Sequence, residues 1–340
     1  MSDTTLDRHE LAGLRTYLAG LGESVDGDLR STLIAGGRSN LTYLLTDDAN
    51  QWVLRRPPRA GLTPSAHDMG REFRVTDALQ SSAVPVARTV GLHEDPSLLG
   101  APFSVVGYVK GTTIRSSDDL GRLDDVQLHG CVESLIGTLA ALHAVDHEAV
   151  GLERFGRPDA YAQRQLHRWS GQWEHVATGD VPDAAALLLR LMERAPTGGK
   201  AAIVHGDFRI DNTIVDTEEP TVIRALVDWE LSTIGDPVAD VAMMCAYRHP
   251  ALNDILGVDA AWTSDRLPSV YELASLYELV SGTTLVSWDF FLALAFYKLA
   301  VIAQGIDFRL RAGAAASEGS ERAGEAVPRL LAAGLEVMAR

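Results

Sequence analysis

The 340-residue chain has little lysine, little cysteine, little asparagine and no long unbroken apolar run. Its two cysteines, Cys131 and Cys245, sit in apolar helical contexts. Two lone cysteines make neither a disulfide framework nor a zinc set, so a reducing cytoplasm is the expected compartment. The greasiest stretch, Phe290 to Ala303, is interrupted by Lys298 and is shorter than the ~20 residues a spanning helix needs. Met1 to Glu10 is polar and acidic, with no basic segment ahead of an apolar one. A soluble protein without a membrane partner is expected. Positive charge is also scarce: Lys plus Arg is 30 against 46 for Asp plus Glu, a formal net charge of −16. A chain this acidic repels polyanions, which argues against a general nucleic-acid binder. It would draw in a cationic substrate, although solubility alone explains the charge equally well. Only Lys110, Lys200 and Lys298 are lysines. Walker A, G-x-S-x-G and Rossmann glycine patterns are absent, as is any metal-ligand spacing among the histidines.

What is there changes character along the chain. Leu11, Leu14, Leu18 and Leu21 recur at helical spacing and predict an opening amphipathic helix. Runs 29–35, 41–46 and 51–56, separated by turn residues, read as an antiparallel meander ended by Pro57 and Pro58. A helix over 68–80 and strands over 86–92 and 103–109 complete a five-stranded, one-helix region. Beyond Ser116 the pattern is helical: 120–145, 160–173, 183–194, 237–247, 270–280, 288–311 and 317–338. A strand-rich island, 201–228, interrupts it. The expected fold class is α+β, with a small antiparallel β lobe over 1–110 and a large, mostly helical lobe over 111–340.

The chemistry concentrates in that island. An apolar strand runs into His205-Gly206-Asp207-Phe208-Arg209-Ile210-Asp211-Asn212, and an apolar strand leaves it. The form H-x-D-x-x-x-x-N is the spacing of a kinase catalytic loop. Phosphoryl transfer needs a carboxylate to take the hydroxyl proton, and Asp207 stands where one belongs. It also needs oxygen ligands for Mg²⁺, which the Asn212 carbonyl can supply. The chain has only four asparagines, so one at this offset carries weight. Sixteen residues on, the apolar run 225–227 ends in Asp228, a second metal-ligand candidate. Asp is also a common turn or cap residue. The joint spacing inside a strand-loop-strand context favours the chemical reading.

His205-Gly206-Asp207 with Asn212, then Asp228, then Gly235-Asp236-Pro237 with Asp240, resembles the aminoglycoside phosphotransferase family of kinase-like enzymes, over nearly the whole chain. The resemblance implies a bilobal protein-kinase-like fold with ATP and Mg²⁺ in a cleft, Asp207 as catalytic base, and Asn212 and Asp228 as metal ligands. Asp236 is expected to cap the following helix, and Asp236 and Asp240 to be mainly structural. Phe208-Arg209-Ile210-Asp211-Asn212 and the segment 168–173 resemble the branch related to acyl-CoA dehydrogenase fusion proteins. That branch implies a hydroxyacyl-CoA acceptor. Two alternatives stand beside it: an aminoglycoside acceptor, and a nucleotide-binding pseudokinase.

The first lobe supplies the nucleotide contacts this resemblance implies. Gly36-Gly37-Arg38-Ser39-Asn40 joins the first two strands where a phosphate-covering loop belongs, small residues letting backbone N–H groups approach phosphates. Trp52-Val53-Leu54-Arg55 takes the place of the kinase V-A-I-K strand, with Arg55 for the lysine. Arginine can grip phosphate oxygens with two N–H groups, but its guanidinium is larger and planar. Arg56 would point to the opposite face of the strand. Glu72 is the expected partner of Arg55. Backbone groups of Gly107, Tyr108 and Val109 would bond the adenine. Arg209 is expected to neutralise charge on the transferring phosphoryl group. The reading is an ATP- and Mg²⁺-dependent phosphotransferase acting on the hydroxyl of a small molecule.

Overall fold

The structure, a computed structural model, describes residues 5–36, 40–58, 68–313 and 319–340. The chain divides into two compact units, 1–110 with 224–230, and 111–223 with 231–340.

In the first unit, Asp7 opens α1 (Arg8–Gly20) with a capping box. Its carboxylate accepts the His9 and Glu10 N–H groups, and the Glu10 side chain accepts the Asp7 N–H. Leu14 and Leu18 are fully buried, whereas Leu21 caps the helix and is exposed. The helix ends before the last of the periodic leucines can face inward. Strands β1 (Arg30–Gly36), β2 (Leu41–Thr46) and β3 (Gln51–Arg56) form the meander. Between β2 and β3 the Asp47 carboxylate accepts the Ala49 and Asn50 N–H groups, which fixes the turn. Helix α2 (Met69–Ala78) then leads to β4 (Thr89–His93) and β5 (Phe103–Gly107). The sheet order is β1-β2-β3-β5-β4, every pairing antiparallel. Period-two alternation puts Tyr43, Leu45, Trp52, Leu54 and Phe103 into one core with α1. The segment 224–230 belongs here as well, tied by the Leu226 N–H to the Pro85 carbonyl at 2.8 Å.

The second unit is helical around one long helix. The helix expected over 120–145 starts later, as α4 (Asp125–Ala144), because Asp124 opens it in a capping box with Gln127; a separate short helix, α3 (Ser117–Leu120), precedes it. Helices α5 (Tyr161–Val176) and α6 (Pro182–Arg194) follow. The island holds three short strands, β6 (Ala202–Val204), β7 (Thr213–Val215) and β8 (Ile223–Leu226), the last entering the 224–230 segment of the first unit; β9 (Thr233–Gly235) lies beyond the island and pairs with β6. Then come α7 (Pro237–Ala246), α8 (Leu252–Leu256), α9 (Val270–Ser281), α10 (Trp288–Arg311) and α11 (Ala323–Val337). At 24 residues α10 is longer than its apolar run suggested and is long and apolar enough to cross a membrane. Most of it is buried inside this unit, including the run Phe290 to Tyr297.

Candidate active site

In the second unit β6 delivers the chain to His205, and the loop 205–209 runs to a 3₁₀ turn over Ile210–Asn212 before β7. Gly206 has φ +81°, and a Cβ there would come 2.7 Å from the Leu231 carbonyl oxygen. Only glycine suits both demands. Asp240, in the first turn of α7, holds the loop by its backbone. Its Oδ2 accepts the His205 N–H at 2.6 Å and its Oδ1 accepts the Gly206 N–H at 2.8 Å. The buried His143 stands between Asp240 Oδ2 (3.2 Å) and the Tyr277 hydroxyl (2.8 Å). Asp236 accepts the Val238 N–H at 3.0 Å and caps α7. Burial works against the Asp240 charge, but the His143 and His205 contacts outweigh it and keep its carboxyl below the ordinary range.

Asp207 sits at the centre of three side chains. Its Oδ2 accepts from Asn212 Nδ2 at 2.9 Å and from Arg209 Nη2 at 3.3 Å. Its Oδ1 accepts from the Tyr247 hydroxyl. Asn212 Nδ2 also donates to the Asp207 carbonyl at 2.7 Å. With the amide nitrogen so used, Asn212 keeps its oxygen for a ligand. Arg209 reaches Asp211 Oδ2 at 3.4 Å and lies over the Tyr247 ring at 4.8 Å. Its guanidinium is thus engaged by two carboxylates and a ring. Burial pushes the Asp211 carboxyl up, against the pull of Arg209. Tyr247 is absent from the residues the sequence singled out. A signal was there: Tyr247, the C-cap of α7, lies seven residues, about two helical turns, beyond Asp240.

The first unit gathers a second set. Arg55 Nη1 lies 2.7 Å from Glu72 Oε2, and its Nη2 lies 3.6 Å from Asp228 Oδ1. The buried Asn40 donates to Glu72 Oε1 at 3.3 Å, so its side chain is committed to this pair. Burial favours the neutral form of Glu72 and lifts its pKa, with Arg55 opposing and Asp228 adding. Arg56 faces the other way, fully buried, with Nη1 on the Leu99 carbonyl at 3.1 Å. Asp228 takes φ +68°, one of three non-glycine residues beyond zero among those described. Such strain is found where a side chain must be aimed. Its Oδ1 is buried and has the Arg55 ion pair but no hydrogen bond. A buried carboxylate oxygen in that state suits a cation.

Of the adenine-bonding segment, the Gly107 N–H donates to the Arg88 carbonyl (2.7 Å) and the Tyr108 N–H to the Gln51 carbonyl (3.2 Å). The sheet therefore uses both, and Val109 carries the N–H left over among the described residues. Gly36 ends β1, while Gly37 and Ser39 lie outside the described residues.

Comparison with known proteins places this geometry. The chain is 36% identical over 317 residues to acyl-CoA dehydrogenase family member 10 of Mus musculus, covering 92% of this chain and 30% of that protein. It is 34% identical over 333 residues to acyl-CoA dehydrogenase family member 11 of Homo sapiens, covering 97% and 42%. The chain thus spans less than half the length of these relatives. Among solved structures, a candidate aminoglycoside phosphotransferase of Ralstonia eutropha JMP134 superposes with a TM-score of 0.82 at 30% identity, over 96% of this chain and 98% of that one. The ternary complex of a thermostable aminoglycoside phosphotransferase APH(4)-Ia mutant with ADP and hygromycin B shares the fold, at a TM-score of 0.59 and 15% identity, over 96% and 97%. The model of the phosphotransferase enzyme family matches residues 31–273, and the chain, kinase-like in fold, belongs to that family.

Proposed function

We propose that the protein transfers the γ-phosphoryl group of ATP to a hydroxyl of a small molecule, with a hydroxyacyl-CoA as the acceptor. The observation that carries the reading is the Asp207 carboxylate, oriented by Asn212, Arg209 and the Tyr247 hydroxyl and kept anionic. The fold it shares with a phosphotransferase bound to ADP supports the nucleotide, and the acyl-CoA dehydrogenase relatives support the acceptor.

Asp207 takes the proton of the acceptor hydroxyl as its oxygen bonds to the γ-phosphorus and the bond to the β–γ bridging oxygen breaks. Oδ2 already accepts two hydrogen bonds, but Oδ1 accepts only that of the Tyr247 hydroxyl and has a second lone pair for the hydroxyl proton. Arg55, steadied by Glu72, grips phosphate oxygens from the first unit. Arg209 lends positive charge next to Asp207 and keeps the base ionised. The Asn212 side-chain oxygen and the Asp228 carboxylate are each suited as an Mg²⁺ ligand, and the ion would neutralise charge on the phosphates. Few protein ligands are needed for such an ion, which is commonly bound by one or two side chains together with substrate phosphates and water.

The test is mass spectrometry of Mg·ATP incubated with 3-hydroxyoctanoyl-CoA and, separately, hygromycin B. A phosphorylated acyl-CoA is expected, with kcat reduced about 10²- to 10⁴-fold in Asp207→Asn. Transfer to hygromycin B alone would move the acceptor to the antibiotics. Full transfer with Asp207→Asn, or with every divalent cation chelated, would overturn the mechanism.

A further inference from the structure

Lys298 takes no part in the steps of phosphoryl transfer, yet it is the one charged residue between Phe290 and Ala303 of α10, and its neighbours Tyr297 and Leu299 are buried. An ammonium is costly to take out of water unless polar groups and opposite charge compensate it. Here it donates to the Gly206 carbonyl oxygen at 3.1 Å, its one hydrogen-bond partner among the described residues, and lies 5.5 Å from the Trp169 ring centre. That ring is itself fixed, because its indole N–H donates at 3.1 Å to Gln165 Oε1 one turn earlier in α5. Beside the ammonium is an opening of about 40 Å³, lined also by Tyr161 and Gln165, with room for water and for nothing larger. Burial lowers the Lys298 pKa, and the charges of Asp207 and Asp240 oppose the fall.

The bond to Gly206 falls on the peptide that carries Asp207. The carbonyl of that peptide accepts from Lys298, and its N–H, that of Asp207, donates to His205 Nδ1 at 3.3 Å. One peptide earlier, Asp240 accepts the Gly206 N–H. The backbone on the two sides of Gly206 is thus tied to two helices, α7 through Asp240 and α10 through Lys298. Glycine has more backbone conformations open to it than any other residue, so a peptide next to it turns unless it is held.

We infer that Lys298 is a positioning residue: it fixes the Gly206–Asp207 peptide and, through it, the direction of the Asp207 carboxylate. The inference rests on the phosphotransfer proposed above only for what that carboxylate then does; the hold on the loop belongs to the protein alone. A neutral side chain of similar length would pack in α10 at less cost. What the ammonium adds is the bond to the carbonyl and the attraction of the ring face, which keeps it from turning into the opening. A misplacement of about 1 Å at a reacting group lowers a rate by up to about 10²-fold, so a small turn of this peptide is enough to matter.

Hydrogen–deuterium exchange and steady-state kinetics test the hold on the loop and its consequence separately. In Lys298→Met, exchange at the amides of His205, Gly206 and Asp207 is expected to quicken about tenfold while the strands of the first unit keep their rates. With whichever of 3-hydroxyoctanoyl-CoA and hygromycin B takes phosphate, kcat should fall about tenfold or more and KM for ATP stay within about twofold. Lys298→Arg keeps a charged donor and should recover part of both losses. Leu292→Ala, a buried position six residues back on another face of α10, should lower Tm and leave kcat unchanged. Trp169→Leu leaves the lysine without its ring and serves if Lys298→Met does not fold; a several-fold fall in kcat at unchanged KM is expected. Unchanged loop exchange or unchanged kcat in folded Lys298→Met would overturn the inference. So would an equal loss of kcat in Leu292→Ala at the same loss of Tm, which would make Lys298 a packing residue. If loop exchange quickens as expected while the unaltered protein phosphorylates neither acceptor, the phosphotransfer reading fails and the hold on the loop stands.

Discussion

Burial alone would raise the pKa of Asp207, yet Arg209, the Tyr247 hydroxyl, His205 and Lys298 outweigh it and hold the carboxyl below its ordinary value. The carboxylate is therefore anionic at neutral pH and aimed by donors on both oxygens. Tyr247 is a positioning residue in this scheme, because it acts through Asp207. Tyr247→Phe keeps the ring under Arg209 and removes only the hydroxyl. A hydrogen bond to a charged group contributes about 1.5–3 kcal/mol. If roughly 1.4 kcal/mol of that is expressed in the transition state, kcat falls about tenfold. KM for ATP should stay within about twofold, and a steady-state measurement of both constants checks the split. A large rise in KM with kcat unchanged would place Tyr247 among the nucleotide contacts instead. The sequence made Asp207, Asn212 and Asp228 legible because they lie close along the chain at a spacing the chemistry requires. Tyr247 and Lys298 were not legible in that way, since they reach the loop from 40 and 92 residues away. Lys298 did leave a trace as the lone charge in an apolar run, which read only as an interruption of a helix.

Elements show the same division between local and distant causes. The long helix α10 and the meander β1-β2-β3 follow from periodicity and turn residues, so their bounds were close to what the sequence predicts. The start of α4 was set too early because Leu120 and Leu123 extend the apolar pattern ahead of it, while a capping carboxylate at Asp124 decides the matter. Strands β6 and β9 are three residues each and exist by pairing with one another. Their pairing brings the catalytic loop to α7, where Asp240 bonds two successive N–H groups of the loop. Gly206 is the point at which this element tolerates least change. Gly206→Ala adds a Cβ at φ +81° and 2.7 Å from the Leu231 oxygen, so the loop must shift. A strain of this kind costs about 1–3 kcal/mol. Urea unfolding should show a loss of that order, while phosphate transfer falls by at least about tenfold because Asp207 is displaced with its neighbour. Unaltered transfer in a stable Gly206→Ala protein would mean that the loop geometry is not what orients the base.

At the scale of the molecule, a net charge of −16 opposes the binding of ATP, itself a polyanion. Affinity then has to come from local positive charge, which the sequence reading assigned to Arg55 and to a bound cation. The two sets differ in what they are asked to do: Arg55, Glu72 and Asp228 fall in the first unit, and Asp207 and Asn212 in the second. Ligand linkage separates their roles. A ligand at about 100 times its Kd stabilises the state that binds it by about 2.7 kcal/mol, which for a chain of this size raises Tm by several degrees. Mg²⁺ with the non-hydrolysable analogue AMP-PNP is expected to give such a rise in differential scanning calorimetry. Arg55→Met should remove most of it, and EDTA should reduce it in the unaltered protein, since both strip positive charge from the phosphates. Asp207→Asn should keep the rise while losing transfer, because the base is needed for chemistry and not to hold the nucleotide. An undiminished rise in Arg55→Met would show that the arginine in the lysine's place takes no part in gripping phosphate. A full rise without any transfer in the unaltered protein, across acyl and antibiotic acceptors alike, would mark a nucleotide-binding pseudokinase built on the same residues.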